Sequence, residues 1–469
     1  MNTQMYILGQ AVEGQAAAFA VINPATCEII THCRSASAVQ VDEAIGFAQA
    51  RFEHWQHTPD EVVREHLLAI SADIWAHKAE IAALISLEQG KPIALAELEV
   101  ELSLIWINTV IDFEIPIDEY QEANGKKIVV YNRPVGVVAS ISPWNWPFLI
   151  ATWHLFPALK AKNCVMHKPS EFTPLSSIML VELINRHLPT GVCNLVLGAA
   201  EVGSMLSSHP GVAKLSFTGS IRTGKSILQH SAYDLKSVLL ELGGNDIGIV
   251  LADVDIDEVA EKIFAAAFLN SGQTCACLKR LYVQRKVYPA LLHKLSNIMH
   301  QQVLGAGLDP ESTLGPLQNQ IQYDKVKALI EGARDRGATL IQSIQVLPAR
   351  GYFIAPTLVT DLSADDPLVT EEQFGPVLPI LPFDEVDQVI AESNQLDYGL
   401  GASVWSKDVE RAQDIALRLH SGTVWINSHC DLSPRVAFGG WKHSGLGFSF
   451  GMEGLLHYTH KQAIHISVA

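Results

Sequence analysis

The chain has 469 residues, of which 48% are hydrophobic, and a formal net charge of −17 at pH 7. This length suffices for about three domains, or for one large two-lobed enzyme with a sizeable core. The acidic excess, without any local basic patch, argues against nucleic acid or an anionic membrane surface as a partner.

Charge placement and cysteine usage indicate a reducing compartment. No lysine or arginine precedes Arg34, so the basic region of a secretory or transit signal is missing. No apolar run approaches the length of about 18 residues that a membrane-spanning helix needs. The seven cysteines are scattered and odd in number, which predicts free thiols. We therefore expect a soluble, cytoplasmic protein.

The first 115 residues are predicted to form a strand and turn followed by three helices. The strand and turn cover 19–31. Ser37 begins the first helix, because Gln40 three positions later completes a capping-box pattern. The second helix runs from about 59 to 90 and the third over roughly 93–115. The next apolar stretch, at 127–131, has the composition of a β-strand.

From residue 134 onward, short apolar strands alternate with helices. Strands are predicted at 137–141, 195–197 and 214–217, and helices at 150–162 and 174–187. This alternation predicts an α/β fold with a doubly wound, Rossmann-type parallel sheet. Ligands of such sheets bind beyond the carboxyl ends of the strands, so residues there are candidates for a dinucleotide site.

Cys275 has the surroundings of a catalytic nucleophile. It follows a predicted helix that begins at Asp255, and its neighbours in the chain are small enough to admit a substrate carbonyl. Glu241 ends a predicted strand about thirty residues earlier and is a candidate base, because the thiolate is the nucleophilic form of cysteine. An isolated cysteine of this kind is more often a buried structural residue, so the assignment depends on the motifs around it.

Those motifs resemble the aldehyde dehydrogenase superfamily along nearly the whole chain. They occur in that family's order and spacing, at residues 142–147 (SPWNWP), 167–171 (HKPSE), 217–220 (FTGS), 241–244 (ELGG), 272–275 (GQTC), 372–376 (EQFGP) and 438–440 (FGG).

The resemblance implies a division into three parts. A cofactor-binding domain would comprise residues 1–116 and 134–240, and a catalytic domain residues 241–449. Residues 117–133 and 450–469 would form a β oligomerisation arm, in which the strand-like stretch 458–468 pairs with the strand near 127. An isolated edge ribbon invites pairing with another chain, so a homodimer or homotetramer is expected.

The resemblance also implies the catalytic roles. Cys275 would attack the aldehyde carbonyl, and the Asn145 amide would hold the resulting oxyanion. Glu241 would activate the water that hydrolyses the thioester. Taken singly, Asn145 and Glu241 are better explained as strand-end residues, and only their place among the other motifs favours the catalytic roles.

NAD is the implied cofactor, with NADP possible. The ribose site would include Lys168 and Glu171, and a carboxylate there disfavours a 2′-phosphate. The Gly-Ser turn at 219–220 departs from the G-x-G-x-x-G fingerprint, although a helix N-terminus there would suit a pyrophosphate. The implied cofactor-binding residues are Ile141, Trp144, Lys168, Ser170, Glu171, Gly219, Ser220, Gly224, Glu372 and Phe374. No metal site is expected, because the Cys275-Ala276-Cys277 run lacks a matching second pair.

The implied substrate pocket is mainly apolar and aromatic, which predicts a hydrophobic aliphatic or aromatic aldehyde. Its residues would be Trp146, Leu149, Ile150, Trp153, Leu432 and Phe438.

The chain departs from the family pattern at three places. Ala437 stands where proline is common, and Ser449 and His154 stand where many hydrolytic members have a glutamate and a lysine in a proton path. Two alternatives to a hydrolytic dehydrogenase stay open: a CoA-acylating enzyme, which would usually lack the Glu241 base, and a catalytically silent binding protein on the same fold.

Overall fold

The computed structural model describes residues 2–467. The strands of this region are β1 (Met5–Ile7), β2 (Gln10–Val12), β3 (Ala18–Asn23), β4 (Glu28–Arg34), β5 (Asp118–Gln121), β6 (Lys127–Pro134), β7 (Val137–Ile141), β8 (Cys164–Lys168), β9 (Cys193–Leu195), β10 (Lys214–Thr218), β11 (Ser237–Glu241), β12 (Asp246–Val250), β13 (Leu278–Gln284), β14 (Thr339–Gln342), β15 (Thr357–Thr360), β16 (Val377–Phe383), β17 (Gly401–Trp405), β18 (Thr423–Ile426), β19 (Gly445–Leu446) and β20 (Thr459–Ile466).

The α-helices of the same region are α1 (Ala38–Trp55), α2 (Asp60–Ala76), α3 (Lys78–Gln89), α4 (Ile93–Asp112), α5 (Pro147–Lys160), α6 (Leu175–Asn185), α7 (Ala200–Ser208), α8 (Ile221–Ala232), α9 (Ile256–Phe268), α10 (Tyr288–His300), α11 (Gln320–Asp335), α12 (Pro367–Thr370), α13 (Val386–Gln395), α14 (Val409–Leu417) and α15 (Gly451–Leu456).

The N-terminal helices show which boundaries the sequence encodes locally. Ser37 and Gln40 make both hydrogen bonds of the capping box before α1, which confirms that prediction. The predicted second helix, 59–90, is wrong in its continuity, because His77 (φ −104°, ψ 12°) leaves helical geometry and separates α2 from α3. No glycine or proline marks this break, so the sequence gives no local signal for it.

The first sheet has the strand order β19-β11-β10-β7-β8-β9-β1-β2. Strands β7 to β11 pair in parallel, whereas β1 and β19 are antiparallel to their neighbours. The chain runs from β7 outward through β8 and β9, and then returns to the other side of β7 with β10 and β11. This confirms the doubly wound prediction and places the topological switch point between β7 and β10, where ligands of such sheets bind.

A second sheet has the order β14-β15-β16-β13-β12-β17-β18 and is parallel except for β14. Its central strands are buried on both faces, as parallel strands covered by helices require. Helix α9 packs against β13 and leads into the Cys275 loop. This sheet therefore carries the candidate nucleophile.

A third sheet has three strands in the order β20-β6-β5, and β3 pairs antiparallel with β4 in a two-stranded sheet. Strand β20 pairs antiparallel with β6 over its whole length, from Thr459 opposite Pro134 to Ile466 opposite Lys127. The predicted pairing of these two segments is thereby confirmed, although Val468, the end of the predicted strand, lies outside the described residues. The predicted domain boundaries remain a prediction. Strand β19 belongs to the segment 241–449 of the predicted catalytic domain, but it pairs with β11 in the first sheet.

Among residues 2–467, every helix is too short or too polar to cross a lipid bilayer.

Candidate active site

Cys275 lies in a tight loop that follows α9. A 3-10 turn (Leu269–Gly272) ends the helix, and three successive residues, Asn270 (φ 51°), Ser271 (φ 54°) and Gly272 (φ 75°), have left-handed backbone conformations. Such conformations are rare for residues other than glycine and cost about 1–3 kcal/mol each unless surrounding contacts hold them. Here the Ser271 hydroxyl donates to the Gly315 carbonyl at 2.8 Å.

Glycine at position 272 is required by space as well as by backbone angle. A Cβ atom there would lie 2.1 Å from the Gly375 carbonyl oxygen. The buried Lys279 ammonium also donates to the Gly272 carbonyl, at 2.5 Å. The Cys275 loop therefore packs closely against the segment 372–376, which is the EQFGP motif of the sequence analysis.

Asn145 connects the first sheet to this loop. It follows β7, is buried, and donates its side-chain amide to the Gln273 carbonyl at 2.9 Å. The neighbouring Trp146 donates its indole N–H to the Thr274 hydroxyl at 2.8 Å. An asparagine amide has two N–H groups, so one remains for a ligand beside Cys275.

Glu241 is the last residue of β11, and its carboxyl group is buried. Neither carboxyl oxygen meets a hydrogen-bond donor of ordinary geometry among residues 2–467. Burial raises the pKa of Glu241 to about 8, and the nearby Ser449 offsets part of this rise. A carboxyl group with this pKa is a competent general base near neutral pH.

The Cys275 thiol lies in an acidic setting. Burial raises its pKa above the ordinary value, and the carboxyl groups of Glu241, Glu372 and Asp246 raise it further. The resting side chain is therefore the thiol, and it needs a base to become a nucleophile. The structure supplies a nearby carboxyl base rather than an electropositive environment.

Glu372 and Phe374 lie where the segment 372–376 meets the end of β11. The Glu372 carboxyl accepts a hydrogen bond from the Gly244 N–H at 3.0 Å, and a Cβ at Gly243 would lie 2.4 Å from its Oε2. Phe374, with φ of 56°, meets Trp144 edge-on with a centroid separation of 5.4 Å. Two of the predicted cofactor residues thus touch across the two sheets.

The other predicted cofactor residues gather at neighbouring strand ends of the first sheet. Ile141 pairs with Lys168 across β7 and β8, and with Phe217 across β7 and β10. The Lys168 ammonium, held by the carbonyls of Pro169 and Gly198, retains one N–H for a ligand. Ser170 and Glu171 follow directly, at the same end of the sheet.

Helix α8 begins beside this edge. Ser220 caps it by accepting a hydrogen bond from the Thr223 N–H at 3.2 Å, and it follows Gly219 at the end of β10. A Cβ at Gly224 would lie 2.6 Å from Leu242 Cδ2, so the glycine allows the helix to approach the segment after β11. The helix N-terminus therefore opens at the carboxyl edge of the sheet, as anion binding requires.

The predicted pocket residues fall into two adjoining apolar groups. Trp153, Leu432 and Phe438 pack with Cys275 in one group. Trp146, Leu149 and Ile150 form the other, and Trp153 also packs against that group. All six predicted residues are thereby brought to one region around Cys275.

Two aromatic residues of this region were missed in the sequence. Trp106, from α4, and Phe450 complete an aromatic cluster with Trp153 and Phe438, with centroid separations of 5.4 Å for Trp106–Phe450, 4.6 Å for Trp153–Phe450 and 5.7 Å for Phe438–Phe450. Trp106 occupies a long apolar helix whose pattern indicates only burial, so no local signal distinguishes it.

The surroundings of His154 disfavour its protonated, cationic form. Its ring nitrogens lie 3.2 Å from the Ser140 hydroxyl and 3.0 Å from the Thr218 hydroxyl, and burial lowers its pKa to about 3. It is therefore neutral at physiological pH and belongs to a hydrogen-bond network inside the first sheet. Ser449, by contrast, lies beside Glu241.

The model of the aldehyde dehydrogenase family matches residues 11–464. The phenylacetaldehyde dehydrogenase of Pseudomonas fluorescens is 36% identical and covers 99% of this chain and 96% of its own. The betaine aldehyde dehydrogenase of Vibrio vulnificus strain YJ016 is also 36% identical, with 99% and 98% covered.

Solved structures agree with these sequence matches. The lactaldehyde dehydrogenase of Escherichia coli superimposes with a TM-score of 0.95 at 33% identity, covering 99% of this chain and 98% of its own. The betaine aldehyde dehydrogenase of Staphylococcus aureus in complex with NAD+ gives a TM-score of 0.94 at 30% identity, covering 99% and 94%.

The fold defines an α/β protein with a dinucleotide-type sheet, and the site gathers a cysteine, a carboxyl group and an amide beside that sheet. The chain belongs to the aldehyde dehydrogenase family. It is accordingly an oxidoreductase that acts on aldehydes with NAD or NADP.

Proposed function

We propose that this enzyme oxidises a hydrophobic aliphatic or aromatic aldehyde to its carboxylate through a thioester on Cys275. The observation that carries the proposal is the aromatic cluster of Trp106, Trp153, Phe438 and Phe450, which packs in one group with Cys275. Aromatic rings around a nucleophile favour an apolar substrate, because its burial releases ordered water from both surfaces.

A negatively charged substrate is disfavoured by the pairing of Lys91. Its ammonium lies 3.7 Å from the Trp146 ring centroid, but it forms a buried ion pair with Glu99 at 2.5 Å. Its charge is therefore already compensated and is not offered to a substrate carboxylate.

The relatives support two kinds of side chain on the aldehyde. One acts on phenylacetaldehyde, an aromatic substrate, and another on betaine aldehyde, a quaternary ammonium compound. Aromatic rings attract both, since a cation is drawn to the face of an aromatic ring. We place the hydrophobic aldehyde first because Glu241 and Glu372, the nearby carboxyl groups, both have raised pKa values, which reduces the negative charge that would hold a cation.

Acylation would begin with transfer of the Cys275 thiol proton to Glu241. The sulfur then attacks the carbonyl carbon, and the free N–H of the Asn145 amide stabilises the oxyanion of the thiohemiacetal. Loss of one such donor typically costs about 3–4 kcal/mol in the barrier. The hydrogen bond from Asn145 to the Gln273 carbonyl holds the amide in place before the substrate arrives.

The residues at the strand ends fit a dinucleotide. The buried Ser142 hydroxyl has no hydrogen-bond partner among residues 2–467 and stands at the carboxyl end of β7. Lys168 and Glu171 would bind the adenosine ribose and favour NAD over NADP. Gly219 and the α8 N-terminus would face the pyrophosphate. A nicotinamide held by these residues would supply the acceptor for the hydride that leaves the substrate carbon.

The proposed cofactor-binding roles of the other predicted residues are based on their positions near the strand ends. Glu372 would hold the ribose next to the nicotinamide, and Phe374 and Trp144 would pack beside the ring. Ile141, Ser170, Ser220 and Gly224 would line the remainder of the site.

Deacylation would use Glu241 again: once the carboxyl group has released the thiol proton to solvent, its carboxylate takes a proton from the attacking water. The presence of this residue at a strand end beside Cys275 favours hydrolysis over transfer to coenzyme A. A homo-oligomer is the proposed assembly, since β20 leaves one edge of its sheet without a strand partner in the described part of the chain.

The deciding experiment is cofactor reduction by the purified enzyme and by Cys275→Ala, with NAD and with NADP. The aldehydes compared are benzaldehyde, hexanal, betaine aldehyde and succinic semialdehyde, each with and without coenzyme A. We expect kcat/KM with NAD to be highest for benzaldehyde or hexanal and activity to be lost in Cys275→Ala. Preference for betaine aldehyde or succinic semialdehyde would refute the substrate proposal, and dependence on coenzyme A would establish the acylating alternative. No turnover on any aldehyde would favour the silent binding protein.

A further inference from the structure

The backbone carbonyl of Asn145 is held from two sides by buried donors. The Lys91 ammonium donates to it at 2.9 Å, and the Asn270 amide donates at 2.9 Å. Lys91 belongs to the segment between α3 and α4, and Asn270 to the Cys275 loop. Both donors are almost inaccessible to solvent, with 1% and 3% of their surfaces exposed.

Lys91 is itself fixed by Glu99 on α4. One oxygen of the Glu99 carboxylate, Oε2, accepts from the Lys91 ammonium at 2.5 Å. The other, Oε1, accepts from the backbone N–H groups of Phe148 and Leu149 at 3.0 and 3.1 Å. These N–H groups belong to the first turn of α5, which lacks a side-chain cap of its own. Glu99 therefore satisfies the start of the helix that immediately follows Asn145 and Trp146.

We propose that Lys91 and Glu99 are positioning residues that orient Asn145 for its role beside Cys275. The proposal rests on the proposed function, in which the Asn145 amide stabilises the oxyanion. Glu99 fixes the start of α5 on one side of Asn145, and Lys91 fixes its carbonyl. Asn145 then donates its amide to Gln273, two residues before the nucleophile.

These contacts explain why a small change at Lys91 would alter the rate of acylation of Cys275. A donor misplaced by about 1 Å can lower a rate by about 100-fold, because the hydrogen bond to a developing oxyanion is sharply directional. A buried ion pair can also be no more than a packing feature, replaceable by apolar side chains without loss of stability. If Lys91 positions Asn145, its substitution lowers the acylation rate only while the Asn145 side chain is present. If the ion pair is only a packing feature, the effect of the substitution does not depend on that side chain.

A double-mutant cycle on acylation tests this point. The double variant Lys91→Met/Glu99→Gln removes both charges together, and glutamine keeps an oxygen for the Phe148 and Leu149 N–H groups. The readout is the pre-steady-state release of p-nitrophenolate from p-nitrophenyl acetate, which needs a nucleophile and an oxyanion donor but no cofactor. We expect the acylation rate constant to fall about 10- to 100-fold in the wild-type background and less than about 2-fold in Asn145→Ala.

Glu88→Gln is the matched control. Glu88 is another fully buried carboxyl, and it accepts hydrogen bonds from the Leu175 and Ser176 N–H groups at the start of α6. We expect it to alter the melting temperature without changing acylation in either background. Glu99→Gln alone, which weakens the anchoring of Lys91, covers the case in which the double variant does not fold, and should lower acylation in the same direction by a smaller factor.

An equal loss of acylation in the wild-type and Asn145→Ala backgrounds, or no loss in either, would overturn the positioning role. Aldehyde oxidation is measured separately on the same proteins. Wild-type enzyme that acylates with the ester but oxidises no aldehyde would refute the proposed function and leave the positioning role to be decided by the cycle. Wild-type enzyme that neither acylates nor oxidises would overturn both.

Discussion

At the scale of single residues, the protonation of Glu241 controls the proposed chemistry. Its buried carboxyl has a pKa of about 8, raised from an ordinary value of 4.5. Because the charged form is the base, roughly a tenth of the enzyme has the active form at pH 7. His154 cannot take over this role, since a pKa of about 3 makes its imidazole too weak a base.

We therefore predict that thioester hydrolysis rises about tenfold per pH unit below pH 8 and reaches a plateau above it. Single-turnover hydrolysis of the acyl-enzyme, followed from pH 5.5 to 9.5, measures this dependence. In Glu241→Gln the rate should fall by at least about 100-fold and lose its dependence on pH in this range. A wild-type rate that stays constant from pH 5.5 to 9.5, as an ordinary carboxyl pKa of 4.5 would give, would show that Glu241 is solvated in the acyl-enzyme, contrary to its buried position.

At the scale of elements, the turn between α9 and β13 carries the strain of the site. Three consecutive left-handed residues redirect the chain so that Cys275 faces the aromatic cluster, and contacts with the segments near Gly315 and Gly375 hold them. The strain is local, but the compensation comes from distant parts of the chain.

Gly272→Ala should therefore destabilise the protein by about 2–4 kcal/mol. The added Cβ would clash with the Gly375 carbonyl oxygen, and alanine is also unfavourable at this positive φ. Gly337→Ala is the matched control, because Gly337 has φ of 99° with no atom within 4 Å of an added Cβ. It should cost only about 1 kcal/mol. Chemical denaturation of both variants compares them, and equal losses would contradict a steric role for the Gly375 contact.

At the scale of the whole molecule, strand β20 is the feature that predicts association with a second copy of the chain. Its residues from His460 to Ile466 are exposed, and one edge pairs with β6 while the other meets no strand within residues 2–467. Exposed edges of this kind are normally covered or protected by charge.

We predict that the wild-type protein is an oligomer and that Ile464→Asp, at a side chain 43% exposed on β20, converts it toward a 51.2 kDa monomer. A charge placed on an apolar contact is costly to bury, which weakens association. Ile321→Asp, at a 74% exposed side chain on α11, should leave the mass unchanged. Light scattering after size exclusion measures both; a wild-type monomer, or an unaffected Ile464→Asp oligomer, would contradict the prediction.

Much of the fold could be predicted because local patterns encode it. The capping box at Ser37 and the alternation of apolar strands with helices after residue 134 depend on interactions between residues close in sequence, and the structure confirms both. The division of α2 from α3 at His77 escaped prediction, because the residues around His77 favour neither a helix break nor its continuation. The packing of the two helices determines where the break falls.

The alternation of strands and helices after residue 134 and the candidates Cys275, Glu241 and Asn145 could be recognised in the chain, because short motifs at strand ends carry those residues. The surroundings of these candidates became visible in the folded protein. Folding joins Trp106 and Phe450 in one cluster with Trp153, and brings the Lys91 ammonium to the Asn145 carbonyl. Such contacts join residues far apart in the chain, and the energies that select them arise from close packing and burial, which no local pattern specifies.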